Sequence, residues 1–211
     1  MNSTLQPIIV STDPLIFYYA SDEPYTTPSL TANFVCRVFF GLLSIVVCLV
    51  PLRLLHKNGE FSAVVLITTT VVKNLLTVVN ALIWRNNNVA AWWPGSGFCD
   101  VLPYLQHFIV MLFITCMLAI MRNLAHQVGL MRANPLTAKE KRRRNWIQAL
   151  IMFPFPLLQV ILTWFLTSQR YVIGTLVGCS WTGSPNWIYV VFFIIPPFIA
   201  AFITSCYAGK H

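Results

Sequence analysis

Charged side chains are scarce in this chain. Of its 211 residues, 9% are Asp, Glu, Lys or Arg and 57% are hydrophobic, and the mean hydropathy is +0.69. Soluble globular proteins use charged residues for about a quarter of their length, so this composition cannot build a water-facing surface. The shortage excludes a soluble domain, a disordered chain, a coiled coil and a collagen-like fibre. It indicates lipid as the main solvent.

Acidic residues are rarer still, with six against 14 basic ones. All of them lie outside the long apolar stretches or at their edges: Asp13, Asp22, Glu23, Glu60, Asp100 and Glu140. Without a carboxylate pair in an apolar stretch, neither acid–base catalysis nor a proton relay is supported. The sequence also lacks HExxH, GxSxG, P-loop and GxGxxG motifs, and no CxxC pair indicates zinc. We therefore expect no enzyme, no cofactor and no metal site.

Five apolar stretches are long enough to cross a bilayer, whose core of about 30 Å needs about 20 apolar residues per helix. They cover residues 33–55, 61–84, 101–121, 146–167 and 187–209. Lipid offers no partner to backbone N–H and C=O groups, so each stretch must be helical. The sequence therefore predicts an all-α, polytopic helical bundle over residues 33–211. Prolines are expected to kink or unwind the later spans. These are Pro103, Pro154, Pro156, Pro196 and Pro197.

The distribution of basic residues predicts the orientation. Lys and Arg are concentrated in the loops after spans one and three, whereas the opposite side holds only Arg85 and Arg170. By the positive-inside rule, the N-terminus is outside, the C-terminus is inside and segment 139–144 lies at the cytoplasmic leaflet. That segment either sets topology and holds anionic membrane lipid or forms part of a protein-binding face. Nucleic acid is not an expected partner.

Two features are expected on the outer side. Residues 1–32 contain no Lys or Arg, so they do not form a cleavable signal peptide, and we expect an extracellular tail that is mostly irregular. Cys99 and Cys179 flank outer connecting segments, in an oxidising compartment. A disulfide between them would contribute about 4 kcal/mol in the chain-entropy model. The alternative is two free thiols.

The second span carries a polar face. Thr70, Lys73, Thr77, Asn80 and Trp84 recur at steps of three and four and share one side of the helix. A charge near the bilayer midplane costs roughly 3 kcal/mol or more, so we expect Lys73 to look into the bundle or a water-filled cavity. The polar residues of the spans either line a ligand cavity or serve as hydrogen-bonding contacts between helices. The cavity candidates are Lys73, Thr77, Asn80, Trp84, Gln106, His107 and Gln159.

Several short motifs together resemble one receptor family. The sequence has Ile83-Trp84 before a polar loop, followed by Trp93-Pro94-Gly95-Ser96-Gly97-Phe98-Cys99-Asp100. Further matches are Asn74, Asn80, Leu118-Ala119-Ile120 with Arg122, and Gln169-Arg170-Tyr171 with Gly178-Cys179. Over about residues 61–197, their order and spacing are similar to those of fungal a-factor-type mating-pheromone receptors. These are class D G-protein-coupled receptors that sense prenylated peptides.

The resemblance implies a multi-pass receptor of the plasma membrane. A prenylated peptide pheromone would shift the helices toward a state that engages a heterotrimeric G protein. The inner-face candidates are Arg122, Arg132, Arg142, Arg143 and Arg144. Members of the family have seven spans, so we interpret this chain as a truncated or partial form in which the partner of Lys73 is missing. Two alternatives stay open: a small transporter or channel, and a non-signalling partner that assembles with full-length receptor.

Overall fold

The long elements of the protein are helices. The structure is a computed structural model, and it describes residues 8–12, 15–18, 24–130, 137–183 and 187–209. Its helices are α1 (Pro28–Asn58), α2 (Phe61–Ile83), α3 (Phe98–Leu130), α4 (Ala138–Met152), α5 (Pro154–Leu166), α6 (Trp187–Tyr189) and α7 (Ile195–Gly209). A 3₁₀ turn covers Val89–Ala91.

Five helical stretches among the described residues are long and apolar enough to cross a membrane. They are Pro28–Asn58, Phe61–Ile83, Phe98–His126, Ala138–Leu166 and Trp187–Cys206. Helices α4 and α5 count as one stretch, and α6 and most of α7 as another. The predicted all-α class with five spans is therefore confirmed, although three of the stretches start before the predicted residue.

Two of the later spans are interrupted at prolines, as expected. Helix α4 ends at Met152 and α5 begins at Pro154, and the residues between α6 and α7, Val190–Ile194, are wound as a π-helix just before Pro196. A proline has no N–H to offer the carbonyl four residues earlier, so each break leaves carbonyl groups without helical partners. Helix α3 continues through Pro103, so the expected unwinding does not occur there.

The chain divides into two compact units. Unit 1 comprises Met1–Val47, Val71–Gln106 and Thr163–Ser184, and unit 2 comprises Cys48–Thr70, His107–Leu162 and Pro185–His211. Each has its own core. The unit 1 core consists of Trp84, Val89, Trp92, Cys99, Leu102, Tyr171, Ile173 and Cys179. The unit 2 core consists of Leu112, Cys116, Ala119 and Met152.

Unit 1 also contains an antiparallel sheet that the sequence analysis did not predict. Its strands are β1 (Ile8–Thr12), β2 (Leu15–Tyr18), β3 (Thr167–Gly174) and β4 (Gly178–Gly183), in the order β2-β1-β3-β4. Strand β1 pairs with both β2 and β3, with Ile8 opposite Gly174. The expectation of an irregular tail is wrong for these residues, because the backbone of β1 is paired on both sides. Four strands also form a more stable sheet than an isolated hairpin would.

Candidate functional site

A disulfide joins α3 to β4 in unit 1. Cys99 is the second residue of α3, Cys179 is the second residue of β4, and their Cα atoms lie 5.3 Å apart. Both cysteines are fully buried. The pair that the sequence analysis singled out is therefore a covalent link in the structure. Because it closes a loop across a separation of 80 residues, it constrains the unfolded chain strongly.

Three aromatic rings stack beside this disulfide. The ring centroid of Trp84 lies 6.3 Å from that of Trp93 and 6.4 Å from that of Phe98, and the last two are 6.2 Å apart. The indole N–H of Trp84 donates to the carbonyl of Trp93 at 3.3 Å. Trp84 is fully buried, whereas Trp93 is 46% exposed. The three rings, which we call the aromatic cap, therefore present an open indole surface on a fixed support.

The loop that carries Trp93 is held from two sides. The hydroxyl of Tyr171 in β3 donates to the carbonyl of Pro94 at 2.9 Å. Gly95 has a φ of +72°, and a Cβ atom there would collide with the sulfur of Cys99. Only glycine combines this backbone conformation with such a close approach. The glycine-rich motif of the sequence thus serves to bring the loop onto the disulfide.

The β3–β4 turn packs onto α2. Leu176 at its tip is 3% exposed and has a φ of +61°, a conformation that costs a non-glycine residue on the order of 1–3 kcal/mol. Its N–H donates to the carbonyl of Trp84 at 2.8 Å. The side-chain amide of Asn80 donates to the carbonyl of Val177 at 3.0 Å. The strain at Leu176 is therefore offset by contacts with α2.

The same turn reaches two further side chains of unit 1. The hydroxyl of Thr175 donates to the side-chain oxygen of Asn87 at 2.8 Å. The guanidinium of Arg37 in α1 approaches the carbonyl of Leu176 at 3.5 Å and donates to the side chain of Asn33 at 3.0 Å. A displacement of the turn would therefore disturb contacts with both α1 and α2.

The polar face of the second span does not share one environment. Asn80 and Trp84 are buried and hydrogen-bonded to the β3–β4 turn, and Trp84 is also part of the aromatic cap. Thr77 donates to the carbonyl of Lys73 in its own helix at 3.0 Å, and Lys73 is exposed. The described residues do not bury Lys73, so its place in the bundle or a water-filled cavity stays a prediction. The turn covers only the part of the face nearest Trp84. Helix α2 contacts α1 through other residues: Asn74 bonds to Ser44, and Val78 packs against Gly41.

The remaining cavity candidates have separate surroundings. Gln106 is half-buried in unit 1. In unit 2, the side-chain amide of Gln159, which is 3% exposed, donates to the carbonyl of Phe192 at 2.8 Å. The ring of His107 meets that of Phe193 edge to face, with centroids 5.4 Å apart. Both side chains therefore contact the π-helical segment at Val190–Ile194.

Gln159 repairs a break in the backbone hydrogen bonding. The carbonyl of Phe192 would accept from residue 196 in an α-helix and from residue 197 in a π-helix, and both are prolines. Thr115 has a similar role: its shortest hydrogen bond is to the carbonyl of Met152 at 2.9 Å, a group that Pro156 leaves without a partner. Two buried polar residues of unit 2 thus satisfy carbonyls that prolines have freed.

The inner-face arginines are also divided. Arg144 pairs with Glu60 at 3.1 Å. Arg142 and Arg143 are exposed, and Arg122 is half-buried. Arg132 lies outside the described residues.

Sequence reasoning missed the roles of the β3–β4 turn and of Arg37. The signal for the turn was present in Gly174 and Gly178, which bracket three residues between two short segments. No local signal indicates that Arg37 contacts the turn, because that contact depends on tertiary structure.

The described part of the chain has five helices able to cross a membrane, two of them broken at prolines, which defines a helical multi-pass membrane protein. The sequence pattern of the pheromone A receptor family (STE3) matches residues 36–211. The chain belongs to that family, which confirms the resemblance in the motifs.

Three curated relatives carry receptor names. Over 168 residues, the chain is 26% identical to a pheromone a factor receptor of Saccharomyces cerevisiae, covering 79% of this chain and 35% of the relative. Over 175 residues it is 26% identical to pheromone receptor 1 of Ustilago hordei, covering 81% of this chain and 46% of the relative. Over 176 residues it is 25% identical to a pheromone M-factor receptor of Schizosaccharomyces pombe, covering 78% of this chain and 44% of the relative. The matched region thus spans less than half of each relative.

Proposed function

We propose that the chain acts in mating-pheromone reception at the plasma membrane, and that a prenylated peptide contacts the aromatic cap from outside. The family membership supports the receptor role. The observation that carries the site is Trp93, which is 46% exposed while stacked on the fully buried Trp84. A rigid aromatic surface with an open face suits an isoprenoid group or an apolar side chain, because little conformational entropy is lost on binding.

The β3–β4 turn provides a physical route from this site to the helices. Arg37 and Asn80 contact the turn from α1 and α2, and Leu176 in the turn is strained. Asn80 is 2% exposed, and its side-chain oxygen has no hydrogen-bond partner among the described residues. A ligand that binds one position of the turn more tightly than another would shift the population of helix arrangements.

On the inner side, we propose that the response passes to a heterotrimeric G protein. Arg122, near the end of α3, is the described arginine we assign to that contact. Arg144 has its charge paired with Glu60, which supports a structural role for it. The positions of Arg142 and Arg143 favour a different partner, argued below.

The test is binding of a fluorescent prenylated peptide to the purified full chain in lipid nanodiscs. Trp93→Ala removes the open surface and is expected to weaken binding about tenfold or more, as for a central aromatic contact. The matched control is Trp187→Ala, which removes an indole that is 70% exposed in unit 2. Equal affinities for wild type and Trp93→Ala would contradict the assignment. Solute flux through liposomes that contain the chain would support the channel alternative instead.

A further inference from the structure

Helix α4 carries basic residues on two opposite faces. Successive residues of an α-helix are rotated by about 100°, so residues three and four apart lie on the same side. One face holds Lys141, Arg144, Asn145, Gln148 and Met152. The opposite face holds Lys139, Arg142, Arg143, Trp146 and Leu150. Each face spans an arc of about 100°.

The first face is used inside unit 2. The ammonium of Lys141 donates to the carbonyl of Asn58 at 3.0 Å, and Arg144 pairs with Glu60 at 3.1 Å. Further along the face, Gln148 is 2% exposed and Met152 is fully buried. These two charges are therefore satisfied by the protein itself.

The second face, which we call the α4 basic face, is open. Lys139, Arg142 and Arg143 are exposed, Trp146 is 69% exposed and Leu150 is 73% exposed. In the part of the chain that the structure describes, no carboxylate pairs with its three cations. Glu140, the acid nearest in sequence, caps its own helix, accepting from the N–H and the hydroxyl of Thr137 at 2.9 Å each.

Along the α4 basic face, the side chains change from charged to aromatic to aliphatic, in the same order as the headgroups, interface and acyl chains of a lipid leaflet. Arg142 and Arg143 come first, Trp146 follows about one turn later and Leu150 another turn on. At 1.5 Å per residue, each step is about 5–6 Å, close to the thickness of the headgroup layer on one side of a bilayer. Tryptophan prefers the interface between headgroups and hydrocarbon. The cations therefore lie at the depth of the phosphates when Leu150 lies among the acyl chains.

We propose that the α4 basic face binds the anionic headgroups of phospholipids in the cytoplasmic leaflet. The orientation predicted from the basic residues places α4 at that leaflet. The exposed Trp146 and Leu150 favour lipid over an acidic protein segment, which would leave this apolar half of the face uncovered. The inference does not depend on the proposed pheromone function, because it needs neither ligand nor G protein.

The experiment measures lipid selectivity of the full chain. The purified protein is reconstituted in phosphatidylcholine vesicles, and the association of spin-labelled phosphatidylserine is compared with that of spin-labelled phosphatidylcholine at low and high salt. Each basic residue near a membrane surface contributes about 1 kcal/mol, or about fivefold, to the attraction of anionic lipid. We expect Arg142→Gln with Arg143→Gln to lower the selectivity for phosphatidylserine by at least about fivefold.

Two double variants serve as controls. Lys141→Gln with Arg144→Gln changes the net charge by the same amount on the opposite face and should keep the selectivity. Arg142→Lys with Arg143→Lys keeps the charge and should also keep the selectivity. It provides a control even if the Arg142→Gln, Arg143→Gln variant fails to fold. Helix content by circular dichroism checks each protein.

Unchanged selectivity in the Arg142→Gln, Arg143→Gln variant would overturn the proposal, as would an equal loss when Lys141 and Arg144 are replaced. Selectivity that does not fall with salt would also contradict it, because headgroup attraction is screened. If the Arg142→Gln, Arg143→Gln variant kept its lipid selectivity but lost binding to a G protein, the face would be a protein contact instead.

Discussion

The two units of the molecule fix their backbones by different means. Unit 1 has a disulfide between Cys99 and Cys179 and a strained turn packed against α2. Unit 2 relies on side chains that donate to carbonyls freed by prolines, such as Gln159 to Phe192. A covalent link holds one fixed pair of residues, whereas a side-chain hydrogen bond can exchange its partner. The difference predicts that removing the disulfide costs more stability than removing one side-chain hydrogen bond at a proline break.

The strongest way to break this comparison is to remove the covalent link. Cys99→Ser with Cys179→Ser is expected to lower the free energy of unfolding by about 4 kcal/mol, with a corresponding loss of thermal stability in nanodiscs. The control is Cys206→Ser, which replaces an exposed free cysteine and should change little. A double serine variant with the same melting temperature as the wild type would show that the disulfide does not stabilise unit 1.

A smaller effect is expected from Gln159→Leu, which leaves the carbonyl of Phe192 unsatisfied at a cost of about 1–3 kcal/mol. The sharper measurement is a double-mutant cycle in thermal unfolding. Restoring backbone N–H groups with Pro196→Ala and Pro197→Ala should remove most of the cost of Gln159→Leu. An equal cost in both backgrounds would contradict the assignment of Gln159 to the proline break.

The smallest effect concerns strain in the β3–β4 turn. Leu176→Gly and Leu176→Ala both remove the buried side chain, but only glycine accepts the φ of +61° freely. The glycine variant should therefore be the more stable of the two by about 1 kcal/mol. At Leu158 in α5, the order should reverse, because glycine in a helix is about 1 kcal/mol worse than alanine. The same order at both positions would mean that the turn is not strained.

Sequence reasoning succeeded where the determining signal is local. Hydropathy alone located the five spans, and the motif around Trp93 indicated the family, because both are properties of short segments. It failed where distant segments meet. Strand β1 pairs with β3 across most of the chain, and no pattern within residues 8–18 specifies that partner. The 3.6-residue period put Lys73 and Asn80 on one helix face. Only the tertiary structure shows that the β3–β4 turn covers Asn80 and leaves Lys73 exposed.

The central claim is that a prenylated peptide binds at the aromatic cap. It is tested most directly by photo-crosslinking, with a photoreactive prenyl group on the peptide and the full chain in nanodiscs. The predicted label falls on residues 93–98, is displaced by unlabelled prenylated peptide but not by its unprenylated form, and is lost in Trp93→Ala. Labelling confined to residues of unit 2, or labelling that excess peptide does not displace, would contradict the account.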